Sequence, residues 1–252
     1  MSELVFDRVS VRFGGHRAVD DASLVVRPGT TLGLVGESGS GKSTLARVAV
    51  GLERAATGTV RLDGAELTRQ TRRRVQLVFQ DPLAALDPRM PVGTSVAEGL
   101  LATGRRWSGA ERQARVRQLL ELVHIDPERA RERPDRFSGG QRQRITIARA
   151  LAAEPAVLIA DEITSALDVS VQGVVLNLLR ELRAELDLTM LFISHNLAVV
   201  RYVSDDVAVM RNGRIVENGP TETVLQDPAD PYTRELLRSI PVIGQPLDLK
   251  DA

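Results

Sequence analysis

The stretch Thr31-Leu32-Gly33-Leu34-Val35 runs without a break into Gly36-Glu37-Ser38-Gly39-Ser40-Gly41-Lys42-Ser43. A strand that feeds a glycine-rich turn and then opens a helix is the setting in which such a turn becomes a phosphate site. The glycines let successive backbone N–H groups face inward, and the helix N-terminus adds a favourable dipole. Lys42 is placed to reach β- and γ-phosphates, and the Ser43 hydroxyl to ligate Mg²⁺. A merely flexible loop would need neither group. Lysine is otherwise almost absent, since Lys42 and Lys250 are the only two in the chain. A GC-rich genome explains arginine elsewhere but not the retention of Lys42. A site that wants a compact ammonium explains it.

Three further pieces bear on the same chemistry. Val157-Leu158-Ile159-Ala160 is an apolar strand that ends in Asp161-Glu162. Apolar strands ending in Asp are common, so Asp161 gains weight as a metal ligand only beside Glu162. Hydrolysis needs a group that orients and deprotonates a water in line with the γ-phosphate, and a second carboxylate next to the metal ligand can do that. Glu162 is therefore assigned as general base. Ser138-Gly139-Gly140-Gln141 has the S-x-x-Q form of a capping box. Two glycines in one helical turn argue against a simple cap, because each costs about 1 kcal/mol relative to Ala. They suit a phosphate that approaches the backbone closely. His195, after Leu191-Phe192-Ile193-Ser194, is a lone histidine, and such residues are more often structural.

Between these pieces the chain reads as strands alternating with helices, which predicts an α/β fold with a parallel sheet. Leu4–Val9, Leu24–Val26 and Val75–Phe79 are expected strands, and Asp63-Gly64 and Asn212-Gly213 are hairpin turns. From Pro82 the character changes to Pro, Gly and Arg with helical periodicity. Ser108-Gly109-Ala110-Glu111 starts a helix, and Val171, Val174, Val175, Leu178 and Leu182 mark the buried face of another. Arginines 105, 106, 112, 115 and 117 are expected to form a solvated face. The chain is read as a single domain, residues 1–252, with a helical insertion at about 82–145 and a loose tail after Pro241.

Composition excludes several classes. Net charge is zero and aromatics are 3%, so neither a basic footprint nor a stacking platform for nucleic acid is expected. The absence of cysteine excludes disulfides and thiolate metal sites. No basic, apolar leader is seen at Met1–Asp7, and no run approaches the roughly 18 apolar residues of a membrane span.

The order of these motifs over nearly the whole chain resembles the ATP-binding cassette (ABC) ATPases. The resemblance implies a RecA-like P-loop NTPase core with an antiparallel β subdomain and an inserted helical subdomain. It implies ATP and Mg²⁺ as ligands, with Gly36, Glu37, Ser38, Gly39, Ser40, Gly41, Lys42, Ser43 and Thr44 around the phosphates. Ser43, Gln80 and Asp161 would lie at the metal, Gln80 in a Q-loop that touches Mg²⁺ or the attacking water. His195 would contact the γ-phosphate. Ser138, Gly139, Gly140 and Gln141 would face nucleotide bound by a second ATPase subunit, with Asp168 in the loop between the two sites. Phe13 resembles the aromatic that stacks on adenine, against the alternative of a buried edge-strand Phe.

Within that family, Val78-Phe79-Gln80-Asp81-Pro82, Ser165-Ala166-Leu167-Asp168-Val169-Ser170 and Asp230-Pro231-Tyr232-Thr233-Arg234-Glu235 resemble importers of oligopeptides, dipeptides and nickel. Phe137 before the signature leans toward the F-type subunit, which pairs with a non-identical D-type subunit. Integral-membrane permease subunits and, indirectly, an extracytoplasmic solute-binding protein are the partners implied, with a seat at the cytoplasmic face of a bacterial membrane. The alternatives are a soluble ABC ATPase acting on nucleic acid or ribosomes, and a non-transport nucleotide switch. Three positions depart from the pattern: Ile163, Asn196, and Ala85-Leu86-Asp87.

Overall fold

The computed structural model describes residues 1–238, and the expected loose tail after Pro241 lies outside them. The chain opens with a long hairpin, β1 (Leu4–Phe13) and β2 (His16–Val26), followed by β3 (Thr31–Val35) and α1 (Lys42–Val50). Next come β4 (Thr57–Leu62), β5 (Ala65–Glu66) and β6 (Val75–Val78). Four helices follow: α2 (Pro82–Ala85), α3 (Val92–Gly99), α4 (Gly109–Leu122) and α5 (Gly139–Ala152). The chain then alternates through β7 (Val157–Asp161), α6 (Val169–Leu186), β8 (Thr189–Ile193), α7 (Leu197–Val203) and β9 (Asp206–Arg211). It finishes with β10 (Arg214–Pro220), α8 (Thr221–Gln226) and α9 (Pro231–Arg238).

These strands make two sheets. The first is antiparallel, in the order β2-β1-β4-β5. The second runs β10-β9-β3-β8-β7-β6, parallel from β9 to β6, with β10 antiparallel at one edge. Its central strands β3, β7 and β8 are buried along their whole length because both faces are covered. Along β7, Val157 and Ile159 face one core with α1 and the antiparallel sheet. Leu158 and Ala160 face the other core, with α3 to α9. This two-residue alternation fixes the register and brings the ends of β3, β7 and β8 to one edge. Ligands of open parallel sheets bind at that carboxyl edge.

Several local expectations change. β2 extends back to His16, because cross-strand pairing with β1 carries it through a polar stretch. On α6, Val175, Leu178 and Leu182 are buried but Val174 is 49% exposed, so it lies off the buried stripe. Arg115 is half-buried rather than solvated, whereas Arg105 stacks on Trp107 and pairs with Glu111. α5 runs from Gly139 to Ala152.

Candidate active site

The loop from β3 to α1 needs glycine at two points. At Gly36 (φ 152°) an added Cβ would lie 2.1 Å from the Met210 carbonyl oxygen. At Gly41 (φ 107°) it would lie 2.4 Å from the Ala18 carbonyl oxygen. No L side chain fits either place. Gly41 is also the N-cap of α1 and supplies no side-chain cap. The first-turn N–H groups, those of Lys42, Ser43 and Thr44, therefore open toward the loop as a ready anion site. Glu37, Ser38 and Gly39 form its exposed crown, and Ser40 is buried beneath.

Lys42 is 4% exposed and its ammonium arches over the loop. Its Nζ donates to the carbonyls of Gly36 and Glu37, both at 2.8 Å, and to Ser40 Oγ at 3.4 Å. Burial pulls its pKa below the usual lysine value, while Glu162, Asp161 and Glu37 pull the other way. Ser43 Oγ donates to Asp161 Oδ1 at 2.9 Å, tying the first turn of α1 to the end of β7. Burial pushes the Asp161 carboxyl above its ordinary range and the Glu162 carboxylate adds to this, against the Ser43 bond, Arg47 and Lys42. A buried, under-compensated carboxylate beside a hydroxyl is an all-oxygen donor set that suits a hard divalent cation. Among the described residues no group of three or more His, Cys, Asp and Glu could hold a metal. A cation here would draw its remaining oxygens from phosphate and water, as Mg²⁺ does.

Glu162 takes a left-handed backbone (φ 49°), which is strained for a residue with a Cβ. Its N–H donates to the Ile193 carbonyl at 3.0 Å, so the chain turns where β7 meets the end of β8. The turn leaves the Glu162 carboxylate 3.6 Å from Nδ1 of His195, a half-exposed ring beyond the end of β8. Two residues read separately in the sequence thus share one site. Gln80 joins them indirectly: its Nε2 donates to Ser165 Oγ at 3.0 Å, and Ser165 Oγ donates to the Glu162 carbonyl at 2.9 Å.

The signature segment alters one expectation. Ser138 and Gln141 do form a full capping box at the start of α5, so the paired glycines do not oppose a cap. Gly140 has a packing reason, since a Cβ there would meet Val171 Cγ1 at 2.2 Å. At Gly139 an added Cβ would make only an ordinary contact with Leu167, at 3.4 Å. Among the described residues nothing gives that glycine a steric cause. α5 packs on α2, α3, α4, α6 and β6 and joins one core, whereas α1 packs on β2, β6 and β7 and joins the other, so loop and signature helix lie in different layers on the two faces of the parallel sheet. Asp168 is exposed at the N-cap of α6 and makes no cap bond there. Phe13 is 46% exposed at the β1–β2 tip, and β1 is an interior strand, so the buried edge-strand reading is wrong.

The ABC transporter family profile matches residues 19–165. The chain belongs to the ABC transporter family. A second profile, described as the oligopeptide/dipeptide transporter C-terminal region, matches residues 216–252 of this ABC protein. The oligopeptide transport ATP-binding protein OppF of Bacillus subtilis is 48% identical over 237 residues, covering 91% of this chain and 78% of the relative. A Brucella abortus protein provisionally named for peptide import is 53% identical over 233 residues, covering 89% of this chain and 70% of its own. Among solved structures, cbiO1 from Clostridium perfringens, part of the ABC transporter complex cbiONQ, matches with a TM-score of 0.80 at 28% identity. That match covers 89% of this chain and 90% of cbiO1. The ATP-binding cassette MJ0796, a dimer in a post-hydrolysis state bound to ADP and Pi, matches with a TM-score of 0.76 at 27% identity over 86% of this chain and 98% of its own.

The three departures in this ABC cassette are absorbed locally. Ile163 is 1% exposed in the larger core. Asn196 caps α7, its Oδ1 accepting from Ala198 N at 3.0 Å and Val199 N at 3.4 Å. Leu86 is buried, and Asp87 accepts from the Arg89 N–H at 2.8 Å. Other site contacts had no signal in the sequence. Ser165 links Gln80 to the Glu162 turn, Gly213 N–H donates to the Ser40 carbonyl at 2.9 Å, and Tyr232 reaches the loop at Glu37.

Proposed function

We propose that this chain binds and hydrolyses ATP and that hydrolysis drives a membrane importer of peptides. The observation that carries the reading is the convergence of Lys42, the Ser43–Asp161 pair and the Glu162–His195 pair on one loop mouth. In this reading the loop N–H groups and Lys42 hold the β- and γ-phosphates, as charge-assisted donors around a polyanion. Ser43 and Asp161 hold Mg²⁺, with Gln80 beside them. The metal, when bound, neutralises charge developing on the phosphate oxygens. Glu162 accepts a proton from the attacking water, and its turn, anchored on Ile193, fixes the direction of the carboxylate. His195, 3.6 Å from that carboxylate, donates toward the γ-phosphate. Phe13 stacks its exposed face on adenine.

The signature is read as serving a second chain. Ser138 to Gln141 start a helix in another layer than Lys42, and Gly139 has open approach. A neighbour's triphosphate would complete what one chain leaves apart, with Asp168 between the two sites. The second subunit is a cassette of this kind, identical or related. The insertion α2 to α5 meets permease subunits at the cytoplasmic face of the membrane. No helix among the described residues is long and apolar enough to cross a membrane.

Peptide as the solute class rests on the match of residues 216–252 to the oligopeptide/dipeptide region and on relatives named for dipeptide, di/tripeptide and glutathione import. These names do not favour a cassette acting on nucleic acid. The test is reconstitution with permease subunits in vesicles and uptake of a labelled di- or tripeptide. The reading predicts uptake that requires ATP and Mg²⁺ on this chain's side. Hydrolysis that neither permease nor peptide changes would refute it.

A further inference from the structure

Tyr232 is among the largest fully buried side chains of the protein, 2% exposed, yet it is far in sequence from every motif of the site. Its hydroxyl accepts the Glu37 N–H at 3.1 Å. Glu37 is the second residue of the phosphate loop, on the crown beside Gly36. The Tyr232 ring lies under the Arg211 guanidinium, 4.4 Å from its centroid. Arg211 ends β9, and the Asn212-Gly213 turn that follows reaches the same loop at the Ser40 carbonyl. Two struts from the C-terminal third of the chain thus hold the loop at Glu37 and at Ser40.

The start of α9 is itself firmly held. Both carboxylate oxygens of Glu217 on β10 accept backbone N–H groups, from Ala229 at 2.8 Å and Asp230 at 3.1 Å. Asp230 Oδ1 then accepts the Tyr232 N–H at 2.8 Å. Arg234 returns to the carbonyls of Pro228 at 3.0 Å and Ala229 at 2.7 Å. These bonds fix the start of α9 and, with it, where the Tyr232 hydroxyl points.

We propose that Tyr232 is a positioning residue for the phosphate loop, held by Glu217 and Asp230 so that the C-terminal segment sets how well the loop grips the β- and γ-phosphates. The inference rests on the reading of this loop as an ATP site. A strut that only fixes the crown acts on nucleotide binding. It touches no reacting atom and leaves the chemical step alone.

The test uses the full chain and fluorescent ATP and ADP. Tyr232→Phe removes one hydroxyl and keeps the ring under Arg211. It should weaken both nucleotides about five-fold, the loss of one hydrogen bond to a loop N–H. KM for ATP should rise by the same factor, with kcat unchanged. Glu217→Gln, which weakens the anchor without touching the ring, should give a smaller loss in the same direction. Combined with Tyr232→Phe it should add nothing further, because both act through one strut. Wild-type affinity in Tyr232→Phe, or full additivity in the double variant, overturns the proposal. A fall in melting temperature with unchanged KM would assign Tyr232 to packing alone and overturn it equally. Lys42→Ala run alongside separates the two levels: if it still binds ATP, the loop is not the ATP site. If Lys42→Ala loses ATP binding and Tyr232→Phe is normal, only the strut fails.

Discussion

Asp161→Asn separates what the site does for chemistry from what it costs the fold. Asp161 is 6% exposed, and among the described residues its carboxylate takes one hydrogen bond, from Ser43 at 2.9 Å. Asparagine has the same shape, and its Oδ1 still accepts that bond. What changes is a buried negative charge beside a second carboxylate, a charge that burial and Glu162 both disfavour. Neutral replacement of a poorly compensated buried ion is neutral or stabilising, here by about 1 kcal/mol. For a chain of this size that is a rise in Tm of about 2–4 °C. The pH dependence follows from the direction of the shift. The folded carboxyl binds its proton more tightly than the unfolded one, so stability falls as pH rises from the ordinary value of 3.8 to the raised one. The advantage of Asn should therefore be full at neutral pH and vanish below that window. Exchanging the carboxylate proposed to hold Mg²⁺ for a neutral amide should meanwhile cost about 3 kcal/mol of transition-state stabilisation, a fall of about 100-fold in hydrolysis. Calorimetry from acid to neutral pH and phosphate release on the same preparations decide the matter. A variant that melts lower than wild type at neutral pH, or hydrolyses ATP normally with Mg²⁺, would refute this reasoning.

Three further outcomes are expected. Glu162→Gln should retain ATP affinity and lose about 10²–10⁴ of hydrolysis, the usual contribution of a general base, and should accumulate as an ATP-bound dimer on size exclusion. Mixed with partner subunit, Ser138→Arg should silence the partner's site while this chain's own loop still binds ATP, read by nucleotide trapping on each chain. Phe13→Ala should weaken ATP by up to about ten-fold, the worth of one stacked ring, and should blunt discrimination between ATP and other triphosphates in calorimetric titration.

Much of this was legible because the site is made of short segments, each with its own local cause. The loop from Gly36 to Ser43 was legible in one stretch, since the backbone at Gly36 and Gly41 excludes any residue with a side chain. β3 and β8 were readable to the residue because a strand buried on both faces is apolar throughout. Glu162 and His195 could be named but not joined, because their proximity depends on β7 and β8 being neighbours. The packing of Gly140 against Val171 was not legible, since Val171 approaches from another helix and leaves no local trace. Tyr232 stood within a segment noted only for its resemblance. Its contact with Glu37 bridges 195 residues, and no local pattern encodes such a bond.

The central claim is that Lys42 holds the β- and γ-phosphates of ATP, and equilibrium titration of Lys42→Ala with ATP tests it most directly. The ammonium is buried against three acceptors at 2.8, 2.8 and 3.4 Å, and the only other lysine of the chain is Lys250. Loss of two charge-assisted bonds to phosphate, each about 1.5–3 kcal/mol, predicts affinity reduced by about 100-fold or more in a chain that still folds. Affinity within a few-fold of wild type would contradict the assignment of this loop and, with it, the function proposed for the protein.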